Sequence, residues 1–304
     1  MATVNNALVV KKETVDIVVN RVKEFENTGE LTFPANYIPQ NALKSAWLIL
    51  QETQNMDHKF VLDCCTKDSI ANALLSMVVQ GLNPDKKQCY FIAYGTKLAM
   101  QRSYFGSMAV AKMVNPDIED IFGEAVYEGD EFEYSKVRGK TVVTKHNQKI
   151  ENVHKSKIIA AYATILYFSG KEESTILTFD QIKQSWKQSK MNPVDNDGQI
   201  KGSSVHGKFT ADMCVKTAIN KACKMIINSS NDKSIVSKFA KETDDVVIEA
   251  RVDEEISVHA NSEPIDILIE GEVEEGMPDN ETLDAEIVEM DKKKEEEATN
   301  GPGF

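Results

Sequence analysis

Charge is segregated along this 304-residue chain, and the segregation decides which part can fold around a core. Residues 241–304 hold 22 acidic and 5 basic side chains, a net of −17. Residues 1–240 hold 26 and 30, a net of +4. The terminal stretch is also poor in aromatics and lacks sustained periodicity. It cannot bury enough apolar surface to offset the entropy of ordering. We read it as a mostly disordered acidic tail with short apolar patches such as Ile265, Ile267 and Leu268. Residues 1–240 are the expected folded core. The pI near 5.0 is a property of the tail, so it does not exclude a polyanionic partner for the mildly basic body.

Cys64, Cys65, Cys89, Cys214 and Cys223 form no CxxC pair, which suits small buried thiols in a reducing compartment. The N-terminus lacks a basic-then-apolar signal peptide. No apolar run approaches the roughly 20 residues of a membrane span. The expected location is the cytoplasm, with no membrane partner.

Residues 12–27 place Val15, Val18, Val19, Val22 and Phe25 at helical spacing, with Gly29 beyond the end. After a loop with Pro34 and Pro39, Asn41 is the expected cap of a second helix reaching about Glu52. Thr66 is the expected cap of a third, with Asp68 in its first turn and Gly81 as its stop. Asn83-Pro84 marks a turn. Residues 88–94 and 97–102 alternate as a β-hairpin around Gly95-Thr96. Lys97, Ala99 and Gln101 fall on one face, and Leu98, Met100 and Arg102 on the other. Helix is expected over 103–114. Strand candidates follow at about 124–134, 140–145, 157–168 and 173–179. The run IIAAYATILYF at 158–168 is the most apolar and the expected central strand. Asp180 is the expected cap of a helix to about Ser189. A polar loop covers 191–205 and a long helix about 208–228. Helices, then strands, then helices is the order of an α+β fold. The expected architecture is a central antiparallel sheet with a β-hairpin, packed by N-terminal helices and a long C-terminal helix.

Two segments carry chemistry. The first, GLNPDKKQCYFIAYGTKLAMQRSYFG (81–106), interleaves Lys86, Lys87, Lys97 and Arg102 with Tyr90, Phe91, Tyr94, Tyr104 and Phe105. A solvated sheet edge also carries charges, but not five aromatics with them. Cations neutralise phosphates and aromatic faces stack on unpaired bases, so single-stranded nucleic acid is the indicated partner. The second is the late helix, which gathers Thr210, Lys216, Thr217, Asn220, Lys221 and Lys224 on one side. Ala211, Val215, Ala218, Ile219, Ala222 and Ile226 lie on the other. Such a stripe is often a mere solvated face. Here one acid, Asp212, stands against Lys208, Lys216, Lys221 and Lys224.

Other motifs fail on inspection. GSSVHGK (202–208) imitates half of a P-loop, but Phe209 stands where a Ser or Thr must hold Mg²⁺, and a polar loop precedes it. Gly207 and Lys208 at a helix start still offer backbone N–H groups to a phosphate. The five histidines show no HExxH or zinc-finger spacing. Asp195 and Asp197 before Gly198 fit a tight turn better than a calcium loop without its closing Glu. Trp186 reads as core, with Lys183, Lys187 and Lys190 available to extend a basic groove. No nucleophile–base signature appears, so no enzyme activity is expected.

With GLNPDKKQCYFIAYGTKL, QRSYFG and HGKFTADMCVKTAINKACK in view, the chain resembles the RecT/Redβ group of single-strand annealing proteins, the RecT branch in particular. The resemblance covers most of residues 1–230. Ala93 departs from it, where many relatives carry Pro. It implies an ATP-independent phage recombinase in a bacterial host cell, with no cofactor and at most an effect of Mg²⁺ on the DNA. It implies binding to single-stranded DNA and the annealed duplex, and a homo-oligomer in rings or helical filaments. It further implies a 5′→3′ exonuclease and the host single-strand-binding protein as partners.

The expected DNA contacts are Lys86, Lys87, Tyr90, Lys97, Gln101, Arg102 and Tyr104 on the hairpin side. Lys208, Thr210, Lys216, Lys221 and Lys224 form the helix side. Alternatives are a replication or repair accessory protein that binds DNA without annealing, or a nuclease with a fold-assembled metal site. The tail is open to three roles: solubilising segment, competitor for the basic groove, or recruiter of a partner.

Overall fold

Helix α1 (Ala2–Asn27) buries Thr14, Val18 and Val22, four residues apart, on one inward stripe. It stops before Gly29, whose φ of +72° is a left-handed turn that glycine adopts without strain. The computed structural model describes residues 2–155, 157–188, 193–195, 197–230 and 235–245. These lie in the unit Met1–Asn261, and the acidic sequence from residue 246 on falls outside the described residues.

Helix α2 (Pro39–Glu52) begins at its proline, with extended Ile38 at the N-cap, rather than at Asn41. Proline at the first helical position has its φ preset and lacks only an N–H that the first turn leaves unpaired. That moves the start ahead of the expected side-chain cap. A single turn, α3 (Val61–Cys64), follows that no periodicity announced. Helix α4 (Lys67–Val79) starts as expected, Thr66 Oγ1 accepting the Ser69 N–H at 3.3 Å. Ile70, Leu74, Met77 and Val78 on it are fully buried.

The hairpin is strands β1 (Cys89–Tyr94) and β2 (Lys97–Arg102), with Tyr94 opposite Lys97 and Cys89 opposite Arg102. It is seated on the start of α4. The Thr66 N–H donates to Thr96 O at 2.9 Å, and the Leu98 N–H to Ser69 Oγ at 3.1 Å. Helix α5 (Tyr104–Val114) follows, its cap Ser103 accepting the Gly106 N–H at 3.2 Å.

The strand expected at 124–134 is two strands, β3 (Ile118–Tyr127) and β4 (Glu131–Val137). Gly129, at φ +92°, turns the chain between them, and the Asp130 carboxylate accepts the Tyr127 N–H at 2.8 Å. Strand-forming residues on both sides masked this turn. Strand β5 (Lys140–Asn147) pairs with β4, and a short α6 (Ile150–Lys155) leads to β6 (Ile158–Tyr167) and β7 (Glu172–Thr178). β6 is the middle strand of an antiparallel β3–β6–β7 sheet. The fold is α+β, with its antiparallel pairing divided among the hairpin, this sheet and the β4–β5 ribbon.

Helix α7 (Phe179–Lys187) is capped by Thr178, not Asp180. Thr178 Oγ1 accepts the Gln181 N–H, and Gln181 Oε1 accepts the Thr178 N–H, a capping box. The long late helix, expected over about 208–228, is α9 (Thr210–Ser229), and a separate single turn, α8 (Val205–Lys208), precedes it across Phe209. α9 packs on the sheet over Gly123, where an added Cβ would lie 3.2 Å from Ile219 Cγ1. Helix α10 (Ile235–Asp245) packs against α4 and β2, and it runs past residue 240, the expected end of the core.

Asp130 ties the β4–β5 ribbon to the sheet. Its carboxylate, wholly buried, also accepts from Asn152 Nδ2 at 2.7 Å and faces His146 Nε2 at 3.4 Å. The other His146 nitrogen meets the Tyr162 hydroxyl at 3.1 Å. Burial alone would raise the Asp130 carboxyl, but the bonds from Asn152, the Tyr127 N–H and His146 outweigh it and hold the acid below its ordinary range. Asp130→Ala leaves the Tyr127 N–H and the Asn152 amide without their acceptor, removes the His146 contact and should cost about 3 kcal/mol. Urea unfolding measures the loss, and amide exchange should quicken first in residues 131–147.

Candidate nucleic-acid interface

The 3₁₀ turn Pro84–Lys86 leaves Lys86 and Lys87 exposed at the base of the hairpin. Asn83 fixes that turn by accepting the Asp85 N–H at 3.0 Å. Ser103 Oγ donates to Lys87 O at 2.6 Å, and the Ser103 N–H to Gln88 O at 3.0 Å. Lys87 is thereby stitched to the start of α5. The next residue, Tyr104, lies against Phe105 with ring centroids 4.0 Å apart. Lys216 of α9 brings its Nζ to 5.7 Å from the Tyr104 ring centroid, a cation–π contact. The two segments singled out in the sequence, more than a hundred residues apart, therefore meet at Tyr104 and Lys216. Burial, followed by the Asp212 charge, raises the Tyr104 phenol, which stays neutral at physiological pH.

Several lysines are spent on ion pairs: Lys112 with Asp120 (3.0 Å), Lys140 and Lys171 with Glu173 (2.5 Å each), and Lys183 with Asp180 (3.0 Å). Lys86, Lys87, Lys97, Lys208, Lys216 and Lys221 face no carboxylate within ion-pair distance among the described residues. Lys87 and Lys216 lie at the junction around Tyr104, and uncompensated cations are what a polyphosphate chain requires. Lys97 stands apart at the hairpin tip, roughly 17 Å along the ribbon from its base. Lys221 and Lys224 are exposed further along α9.

Several expected contacts turn inward. Gln101 is only 4% exposed, opposite Tyr90 on the face that also carries Ile92. Arg102 donates to Gln80 Oε1 at 2.8 Å, to Ser107 Oγ at 3.3 Å and to the Ala240 carbonyl at 3.3 Å. Both ribbon faces are covered, so alternation could not separate a solvent face from a core face. Tyr90 is half-buried. The Thr210 hydroxyl donates to His206 O at 2.8 Å. The Gly207 and Lys208 N–H groups both donate to Ser204 O at 3.0 Å, so these amides are taken and offer no phosphate cradle. Asp195 belongs to a tight turn, its carboxylate accepting the Gln199 N–H at 2.7 Å. Lys190 lies outside the described residues. Phe105, 44% exposed beside Tyr104, is an aromatic that site selection from sequence passed over. Its signal was adjacency to Tyr104 at a helix start.

Behind the Lys216 wall, Trp186 Nε1 donates to Thr217 Oγ1 at 2.9 Å, and its ring meets His206 edge-on at 4.7 Å. Trp186 is core. Burial, then the Lys216 charge, lowers His206 from 6.5 to about 4. The unfolded chain binds that proton more readily, so the stabilisation is complete above pH 6.5 and drains away as pH falls toward 4. The loss amounts to about 3 kcal/mol. His206→Phe should flatten the stability profile between those pH values in urea titrations.

An α+β body that gathers unpaired lysines and stacked aromatics where a strand turn meets two helices has the surface of a nucleic-acid-handling protein. The RecT family model matches residues 40–256, and the chain belongs to the RecT family. That is a family of phage single-strand annealing proteins of DNA recombination, which bind single-stranded DNA and self-associate. No curated protein matches the chain. The match spans the hairpin, α5, α9 and α10, while α1 precedes it. No helix among the described residues is long and apolar enough to cross a membrane.

Proposed function

We propose that this chain is an ATP-independent recombinase that coats single-stranded DNA, oligomerises on it and anneals a complementary strand. The contact between Lys216 and the Tyr104 ring carries the reading, because it joins the basic, aromatic turn to the basic helix in one surface. Lys86, Lys87, Lys208, Lys216, Lys221 and Lys224 grip phosphates, with Lys97 reaching the strand from the hairpin tip. Gln101 and Arg102 hold the ribbon in place rather than touch DNA. Tyr90, Tyr104 and Phe105 supply stacking faces. Most base edges along the strand stay free, so pairing supplies the sequence information and the protein supplies the backbone grip.

On this reading no ATP or resident metal takes part. A 5′→3′ exonuclease exposes the strand, and the work is done in the cytoplasm of a bacterial host. The acidic residues beyond the core form a separate tail that can compete with DNA for the lysines.

Two complementary labelled strands, mixed with protein without ATP, test the reading. Accelerated duplex formation with strands of full length is expected. Binding without faster pairing would make the chain an accessory factor, and shortened strands would make it a nuclease. Removing the tail should raise DNA affinity at low salt. Unchanged affinity would end the competitive role.

A further inference from the structure

We infer that a cavity beside this surface receives one unpaired nucleobase of the bound strand, an inference that rests on the DNA-binding reading. The cavity, about 260 Å³, lies among α2, the end of α4 and α5. Its mouth carries Lys86, Asn36 and Asn41, all exposed and none with a side-chain partner among the described residues. Its walls include the Tyr37 ring and Met113. The Tyr37 hydroxyl is engaged with Leu82 O at 3.0 Å, which fixes the ring. Gly81 keeps the wall thin, since a Cβ there would stand 3.1 Å from Met113 Sδ.

The chemistry is a slot with an aromatic ring and a thioether, one cation, and two amides that donate and accept, Asn36 and Asn41, while Gln80, Asn83 and Gln88 in the lining are engaged elsewhere. A free phosphate has no use for the apolar walls, and an aliphatic side chain has none for the amides. A nucleobase uses all three, with its π-face on Tyr37 and Met113, its edge on Asn36 or Asn41, and its phosphate on Lys86. A paired base cannot enter, so the cavity distinguishes single strand from duplex. Phe105, Ala109 and Met113 follow one another at four-residue spacing along α5. This stripe leads from the exposed aromatic beside Tyr104 to the cavity wall. A strand crossing Lys87 and Tyr104 has a continuous path to the opening.

The test compares oligothymidylate with an abasic phosphodiester chain of equal length and charge, on the full-length protein. Wild type should bind the thymidylate about tenfold more tightly. Ala109→Leu, which fills the slot without touching a lysine, should cut that preference at least fivefold and leave the abasic affinity unchanged. Retention of the full preference in A109L overturns the proposal. Independently of any variant, a single strand carrying 5-iodouracil should photocrosslink to wild-type protein at Tyr37 or Met113. Crosslinks confined to Tyr90 and Tyr104 overturn it. Excess thymidine monophosphate should suppress the Tyr37 crosslink only weakly if the base arrives on a strand. Complete suppression at equal concentration would make the site a free-nucleotide pocket and overturn the proposal. If wild type binds neither oligomer, the DNA-binding reading itself fails. If it binds both equally, that reading stands and the pocket falls.

Discussion

Alanine at Lys86, Lys87, Lys216 and Lys221 together lowers affinity for single-stranded DNA by about 600-fold at 0.1 M salt. Each phosphate released from contact removes roughly 0.7 from the slope of log K against log salt, so the four together flatten it by about 2.8. The loss should be nearly the same on unrelated sequences, because backbone contacts carry no base information. Fluorescence anisotropy at four salt concentrations reads both quantities. The control is Lys171→Ala. Lys171 is paired with Glu173, so its removal should leave the slope within error of wild type. A quadruple variant with the parental slope would move the interface elsewhere on the molecule.

Gly106→Ala is the most damaging single methyl this fold offers. The new Cβ would lie 2.1 Å from Gln88 O and 2.7 Å from Arg102 Cγ. A backbone carbonyl cannot swing aside as a side chain can, so α5 must lift away from the hairpin base. We expect a loss of about 4 kcal/mol in urea unfolding, at the upper end for overpacking. Gly139→Ala is the comparison. Gly139 turns at φ +80° with nothing near its missing Cβ, so only backbone strain of about 1 kcal/mol applies. Similar stability losses in the two would mean that α5 does not close on Gln88. DNA affinity should fall with stability in the Gly106 variant, because Tyr104 and Lys87 are positioned by the same junction.

What could be read from the sequence was what local chemistry determines. Thr66 as a cap, Gly81 as a stop, the hairpin around Gly95-Thr96 and β6 as the middle strand each depend on a few adjacent residues. Gln101 and Arg102 show where that reach ends. Alternation puts them on opposite faces, but whether a face meets solvent depends on what other elements lay over it. Here α4, α5 and α10 converge on the ribbon's base from distant parts of the chain. The division of 124–134 is a failure of a second kind. Residues suited to one element continued across a turn. The lysines were legible as a group, but which of them lack a carboxylate among the described residues was not, because pairing is decided in space.

Arg102 has a consequence for how the two ends of the chain behave. Its guanidinium bridges Gln80 and the Ala240 carbonyl, while Gln80 Nε2 reaches Thr243 Oγ1 at 3.0 Å. The last described helix is thus moored to the foot of the hairpin. A tail variant cut at residue 240 removes most of α10, and with Thr243 one of the acceptors of the Gln80 amide, which keeps Ser76 O and Oγ, so it would disturb the mooring as well as remove the tail. The cut belongs beyond Asp245. In the intact chain the same mooring makes the hairpin and α10 one mechanical piece, so a load placed on either is shared by both.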